Sequence, residues 1–300
     1  MKAIGEKNMY INLKKRNLLL VLMLAVSCFV FTACGGGDGS GSAVSADLGA
    51  DAEKAQLLTL SDVEDVIESA SFSLEKTGAP AWLNDVDGIY EDDEKGLEPT
   101  VYKIKDQDGK NAMMLVFVLP DYESNKIMGW TGSDDTVGMI PISGKNVTVQ
   151  IVSDEMGLAE GHFDRDKLGK LIEMNEQLLK CLCENAFDGK VIDLEGSSEN
   201  WTATLEVKDY TTTDSKVSNQ YSGGMVKFLP KNGESDIERI QKISVGSEEA
   251  AEPINSDKTA GLIPFEDGYT GLSVDELRSE YDIQITYDDG STEQLKLSAV

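Results

Sequence analysis

The sequence has a single histidine, His162, and only four cysteines among its 300 residues. A zinc site usually takes several His or Cys ligands, and Ser-His-Asp or Cys-His catalysis needs a histidine beside the nucleophile. His162 stands just before a predicted helix, where we expect a surface or capping residue. The sequence therefore indicates no catalytic residue, no cofactor-binding residue and no metal ligand, and it predicts no cofactor.

Basic side chains are scarce as well. Lys and Arg number 27 against 54 Asp and Glu, which gives a formal net charge of −27. Nucleic-acid binding needs Lys and Arg to neutralise phosphates, so this composition argues against a nucleic-acid partner. The same charge opposes docking on anionic lipid. Cationic partners such as Ca²⁺, Mg²⁺ or a basic protein fit the charge, although acidity also keeps a secreted protein soluble.

The apolar run at 18–31 is shorter than the about 20 residues that a membrane-spanning helix needs. Three basic residues at 14–16 precede it, and the small residues Thr32 and Ala33 follow it. A basic start, a short apolar run and a small-residue exit are typical of a secretory signal peptide, here residues 1–33. A spanning helix or a buried core helix fits this pattern less well, and Met9 is an alternative start to Met1.

Cys34 directly follows these small residues, and the segment 31–34 resembles the lipobox in the type II signal peptide of bacterial lipoproteins. In that family the signal is cut before the cysteine, and its thiol carries a diacylglyceryl group. Phe31 stands where the family prefers Leu, and a cleavable signal without lipid is the alternative. The resemblance covers residues 14–37. It implies lipid attachment at Cys34 and a location on the extracytoplasmic face of the cell membrane, where two acyl chains give stable anchoring.

Removal of residues 1–33 would take away five basic side chains and one acidic one, which leaves a net charge of about −31. Cys28 would be lost with them. Cys181 and Cys183 lie two positions apart in a helical pattern, so their side chains point in different directions and cannot bond to each other. We expect both thiols to be partly buried and reduced, and an exposed thiol in an intermolecular bond is the alternative.

Residues 34–54 are rich in Gly and Ser at their start and predict a flexible, lipid-anchored tether. Residues 55–188 predict an α+β N-terminal domain, in which helices cover an antiparallel sheet. Its first helix begins with a capping box from Ser61 to Glu64. Its longest helix begins at Asp164 and ends before Gly189, which fits the residue preference after a helix C-terminus.

Two hairpins lie between these helices. The first pairs 101–104 with 112–119 around an Asp-Gly turn at 106–109, and the second pairs 137–142 with 146–152 around Ser143 and Gly144. The strand at 112–119 is apolar along most of its length, which is typical of a central strand.

Residues 189–300 change to short strands and turns. About seven predicted strands in roughly 110 residues indicate an all-β, immunoglobulin-like sandwich domain. The last two strands form a hairpin around Asp288, Asp289 and Gly290. The alternating segment 201–207 begins with Trp201, which we expect in the core.

Two other features could bind ligands. The acidic segment 84–94 resembles an EF-hand loop in part, but Leu83 stands where the first ligand is needed, so we expect an acidic turn rather than a Ca²⁺ site. Trp82 and Trp130 lie at predicted element ends, where exposed rings could stack on sugars.

These features favour a non-enzymatic binding or adaptor module of the bacterial cell envelope, with an envelope protein or a saccharide as its ligand. Two alternatives remain open. One is a cell-envelope hydrolase that uses carboxylates, with or without Ca²⁺. The other is the substrate-binding component of a transporter, although that class usually has two α/β lobes, which this pattern does not show.

Overall fold

In the computed structural model, the described residues are 57–80, 98–120, 137–153, 164–214, 217–232, 239–245, 248–249, 263–265, 268–274 and 277–300. Within them the protein is mostly β, with two antiparallel sheets and two helices. Neither of these helices is long and apolar enough to cross a membrane. Several predicted features lie outside the described residues, namely the signal peptide, Cys34, the tether, Trp82, the segment 84–94, Trp130 and His162.

The first sheet has six strands in the order β1-β2-β3-β6-β4, with β5 also paired to β6. The strands are β1 (Ser73–Thr77), β2 (Thr100–Lys105), β3 (Asn111–Val118), β4 (Val137–Gly138), β5 (Ile142–Gly144) and β6 (Val147–Ser153). The predicted hairpin of β2 and β3 is confirmed, and its register runs from Thr100 opposite Val116 to Lys105 opposite Asn111. The prediction that β3 is central is also confirmed, because β2 and β6 pair with its two edges.

The turn of the second hairpin lies later than predicted. Ser143 and Gly144 belong to β5 and pair with β6, so the chain reverses at Lys145 and Asn146. Lys145 takes the left-handed conformation there, with φ of 48°. Gly144 has a packing role instead, because a Cβ at this position would lie 2.5 Å from Cγ of Phe187.

The first helix, α1 (Leu60–Ser69), begins earlier than the Ser61 capping box predicts. Its N-cap is Thr59, whose hydroxyl accepts from the backbone N–H of Asp62, while the Asp62 carboxylate accepts from the backbone N–H of Thr59 at 2.7 Å. Glu64 accepts from the Tyr102 hydroxyl instead. Both Thr59 and Ser61 fit the capping pattern, and the chain adopts the Thr59 cap while Glu64 contacts the sheet.

The second helix, α2 (Arg165–Asn185), has the predicted N-cap, since Asp164 accepts from the backbone N–H of Lys167 at 2.9 Å. Cys181 and Cys183 are buried and free, as predicted. The left-handed residue after the helix is Asp188, with φ of 54°, and not Gly189. Gly189 is needed for space, because a Cβ there would lie 2.6 Å from Sγ of Cys183.

The second sheet has nine strands in the order β11-β10-β14-β15-β7-β8-β9-β13-β12. They are β7 (Lys190–Ser197), β8 (Trp201–Asp214), β9 (Val217–Pro230), β10 (Ile240–Val245), β11 (Glu248–Glu249), β12 (Ile263–Phe265), β13 (Gly268–Val274), β14 (Glu280–Tyr287) and β15 (Thr292–Ala299). The predicted hairpin of β14 and β15 is confirmed, and Gly290 in its turn has φ of 80°.

This second sheet folds over its own core. Trp201 on β8 is fully buried, as predicted, and its Nε1 donates to the Tyr287 hydroxyl on β14 at 2.9 Å. Three strand spacings separate β8 from β14 in the sheet order, which would be about 14 Å in a flat sheet. The strands must therefore curve, so that β14 faces β8 across the core.

A buried ion pair joins α2 to the second sheet. Nζ of Lys208 on β8 donates to Oε2 of Glu176, and the Lys208 side chain is only 1% exposed. Beside it, Nζ of Lys180 donates to Oε1 of Glu206 at 2.7 Å. The core around α2 also includes Tyr210 of the second sheet. The helix therefore packs on elements of both sheets.

We predict that Lys208→Met lowers the free energy of unfolding by about 3–5 kcal/mol, because it leaves the Glu176 carboxyl group buried without its partner. The matched control is Lys296→Met, whose ion pair with Glu280 is about half exposed and should contribute little to stability. Urea unfolding followed by circular dichroism measures both. Equal losses in the two variants would show that the Lys208 pair does not stabilise the fold. Adding Glu176→Leu to Lys208→Met should restore much of the lost stability.

A second polar network lies at the end of the second sheet. Glu293 accepts from the backbone N–H of Asn200 at 2.7 Å and from the Tyr287 hydroxyl at 2.6 Å. Burial alone would raise the pKa of Glu293, but these hydrogen bonds outweigh it and lower the pKa to about 2. Burial and the hydrogen bond to Glu293 raise the pKa of Tyr287 to about 12.

A carboxyl group whose pKa is lower in the folded state than in the unfolded state stabilises the fold at pH values above the unfolded-state pKa. This stability is lost as the pH falls through the folded-state pKa. We therefore expect Glu293→Gln to destabilise the protein at pH 7, by about 1 kcal/mol because solvent screens this partly exposed group. The difference from the wild type should disappear between about pH 4.5 and pH 2. Urea unfolding at several pH values measures it, and a difference that persists at pH 2 would contradict the assignment.

Candidate functional site

A cleft of about 510 Å³ opens where the C-terminal ends of both helices meet the turn between β2 and β3. We call it the helix-end cleft. Residues 69–72 at the end of α1 form one wall, the turn residues 106–108 form another, and the last two turns of α2 form the third. Its volume lies within the range of about 300–1,000 Å³ that is usual for small-molecule sites.

The turn places Asp106 in this wall. The backbone N–H of Gly109 donates to the Asp106 carbonyl at 3.2 Å, and Gly109 has φ of 83°, which suits glycine. The backbone N–H of Lys110 donates to Oδ1 of Asp106 at 2.8 Å. The predicted turn at 106–109 is thus confirmed. An Asp at this position stabilises the turn through its own side chain.

The other carboxyl oxygen of Asp106 has no comparable contact. Asp106 is only 7% exposed, and its Oδ2 has no hydrogen-bond partner among the described residues. The neighbouring ammonium group of Lys110 donates to Glu173 at 2.7 Å and lies 3.9 Å from Asp108. A buried polar atom without a partner costs free energy, which makes Asp106 an unusual residue for a wall of this cleft.

Both helices direct their negative ends towards the cleft. Neither α1 nor α2 has a basic residue in its last turn, so no cationic side chain of these turns offsets the partial negative charge of the C-terminal carbonyl groups. Glu184 in the last turn of α2 adds a full negative charge to the wall.

Lys180 is the one cation among the residues that line the helix-end cleft, and it is engaged with the second sheet. Burial alone would lower the pKa of Lys180, but its hydrogen bond to Glu206 outweighs this and raises it. Burial likewise opposes ionisation of Glu206, and Lys180 and Lys208 together lower the pKa of that carboxyl group. The charge of Lys180 is therefore balanced mainly by Glu206, with smaller contributions from Asp193 and from Glu184 of the cleft.

Cys181 also lines the cleft, where its thiol donates to the Val66 carbonyl at 3.3 Å. Burial, with a smaller contribution from Glu184, raises its pKa to about 11. A thiol with this pKa is almost entirely protonated at neutral pH, and a protonated thiol is a poor nucleophile. The geometry therefore favours a structural role for Cys181.

The predicted lipid-attachment residue Cys34 and the candidate ligand-binding residues Trp82 and Trp130 lie outside the described residues. Trp201 is a core residue and reaches no ligand surface. Within the described ranges no group of three or more His, Cys, Asp and Glu residues is close enough to hold a metal ion. Nothing in the sequence distinguishes Asp106, because an Asp in an Asp-x-Asp-Gly segment is ordinarily an exposed turn residue.

Comparisons of the chain with protein-family models, with curated proteins and with solved structures found no match.

We expect Cys181 and Cys183 to resist alkylation by iodoacetamide at pH 7 in the folded protein and to react once urea unfolds it, because burial keeps both thiols protonated and covered. Peptide mapping by mass spectrometry resolves the two sites. Rapid modification of Cys181 in the folded protein at pH 7 would show a reactive thiol in the cleft and would contradict this prediction.

Proposed function

We propose that this protein is a lipid-anchored lipoprotein on the extracytoplasmic face of a bacterial cell membrane, and that its folded part is a non-enzymatic binding or adaptor module. The observation that carries the anchor is the position of Cys34, directly after Thr32 and Ala33 and behind a basic segment and a short apolar run. The proposed partners are the membrane, through the lipid on Cys34, and an envelope protein or a saccharide.

We further propose that the folded part consists of an α+β domain over 55–188 and an immunoglobulin-like sandwich over 189–300. The contact of α1 and α2 with the first sheet supports the α+β arrangement. The curvature that brings Tyr287 of β14 to Trp201 of β8 supports a sandwich, because two layers of strands then enclose one core.

The chemistry of the described residues supports binding more than catalysis. The Cys181 thiol is protonated at neutral pH, which removes the one potential nucleophile of this type in the helix-end cleft. The carboxyl groups of Glu206 and Glu293 have lowered pKas, the opposite of what a general acid needs. All strand pairs of the two described sheets are antiparallel, which gives no support to the two α/β lobes usual in transporter-binding components.

The anchor is tested by comparing Cys34→Ala with the matched variant Cys28→Ala in cells supplied with radiolabelled palmitate. We expect the wild type and Cys28→Ala to incorporate label and to migrate at the processed size, because the lipid is attached at Cys34. We expect Cys34→Ala to stay unlabelled and at the precursor size, since in lipoproteins cleavage follows lipid attachment. Unchanged labelling and processing of Cys34→Ala would refute the lipid anchor.

A further inference from the structure

The chain that leads into α1 is fastened to the first sheet by one buried side chain. Asn146 is only 1% exposed. Its Oδ1 accepts from the backbone N–H of Leu58 at 2.8 Å, and its Nδ2 donates to the Leu58 carbonyl at 2.9 Å. The same Nδ2 donates to the Leu119 carbonyl at 2.9 Å. The Asn146 amide thus takes the place of a neighbouring strand for Leu58, although the two residues lie 88 positions apart.

The helix that follows this fastening is short and packs through few apolar side chains. Among the ten residues of α1 only Val63 and Ile67 are buried, and Leu60 and Val66 pack on the core from partly exposed positions. An isolated helix of this length is marginal in water, so α1 depends on its tertiary contacts. Elements with few buried apolar contacts are the ones that open locally while the rest of a protein stays folded.

The residue after the C-cap of α1 is suited to act as a hinge. Ser71 has φ of 69°, in the left-handed region that a residue with a Cβ disfavours. The next residue, Phe72, is buried, and β1 pairs with β2 along the whole of Ser73–Thr77. The chain is therefore fixed to the first sheet from residue 72 onwards, and a rotation at Ser71 moves α1 without breaking β1.

The two thiols of α2 have different neighbours. Cys181 donates to the Val66 carbonyl of α1 at 3.3 Å, whereas Cys183 donates to the Lys190 carbonyl of the second sheet at 3.5 Å. Burial raises the pKa of both thiols to about 11, so the two have similar intrinsic reactivity. A difference between their reaction rates therefore reports which neighbour moves away.

We propose that residues 58–70 form a latch, with Asn146 as its catch and Ser71 as its hinge, which opens while both sheets stay folded and uncovers Cys181. The latch is a conformational device of the folded part, and it does not depend on a lipid at Cys34. Because Leu58 precedes α1 in the chain, a pull on the N-terminal segment loads the catch before it loads the helix.

The full chain, kept in micelles of a non-ionic detergent, is treated with iodoacetamide at pH 7 over hours, without urea and at several urea concentrations below the unfolding transition. Fragment-ion mass spectrometry follows each thiol, because no trypsin site lies between Cys181 and Cys183. We expect Cys181 to react faster than Cys183 and with a weaker dependence on urea, because opening of the latch exposes much less surface than global unfolding.

Asn146→Asp keeps the size of the side chain and replaces the donor of two hydrogen bonds with a carboxylate. We expect it to raise the labelling rate of Cys181 about tenfold to a hundredfold. The matched control is Gln150→Glu, which removes another buried amide donor of β6, the one that binds the Met139 carbonyl. This control destabilises the sheet in the closed and the open form alike, so it should speed the labelling of Cys183 and leave that of Cys181 unchanged.

A second variant tests the latch at a different contact. Tyr102→Phe removes the hydroxyl that donates to Glu64 of α1 and keeps the buried ring in place. We expect it to speed the labelling of Cys181 about tenfold, because a hydrogen bond to a charged group is lost only when the latch is closed. This variant keeps the proposal testable if Asn146→Asp folds poorly.

Three results would overturn the proposal. One is equal labelling of both thiols in the wild type at every urea concentration, which would show that only global unfolding exposes them. Another is an unchanged Cys181 rate in Asn146→Asp and Tyr102→Phe, which would show that the reagent reaches this thiol through the helix-end cleft. The third is equal acceleration of Cys181 by Gln150→Glu and Asn146→Asp, which would show that the sheet opens as well. None of these results affects palmitate labelling at Cys34, so failure of this inference and failure of the proposed anchor are distinguishable.

Discussion

The ion pair of Glu176 with Lys208 ties the long helix α2 to the second sheet, and the packing of the helix-end cleft follows from it. Both groups are buried, so each depends on the other to offset the loss of its hydration. An apolar pair of similar volume could hold the same elements together, but only the ion pair requires a carboxylate of the helix and an ammonium group of the strand to meet. A fixed rotation of α2 determines which of its side chains reach the cleft.

That rotation has a direct consequence for charge. Lys180 lies one helical turn after Glu176, and it reaches Glu206 on the same strand that carries Lys208. The lysine is thereby directed to the second sheet, while Glu184, one turn further on, lines the cleft. The same helix therefore supplies a charge network on the second sheet and an exposed acidic side chain at the cleft.

The overall acidity of the chain and the local acidity of the cleft have different physical meanings. A net charge of −27 on the whole sequence repels other polyanions, but surface charges are largely screened beyond about 8–10 Å at physiological ionic strength. Asp106 is buried, and screening there is much weaker.

The sequence alone predicts the strands β2, β3 and β6, the helix α2 with its Asp164 cap, both Asp-Gly turns and the burial of Trp201, because these depend on local periodicity, capping and turn chemistry. It misplaced the start of α1 and the turn after β5. At each place two neighbouring positions fit the same local rule. The position that the chain adopts is the one found together with the contacts of Tyr102 and Phe187. Three features are visible only in the folded chain: Asp106 is buried with an oxygen that has no partner among the described residues, two helix ends meet beside it, and Lys180 binds Glu206. These properties arise from residues far apart in the chain, whose approach is set by packing and leaves no signal in local sequence.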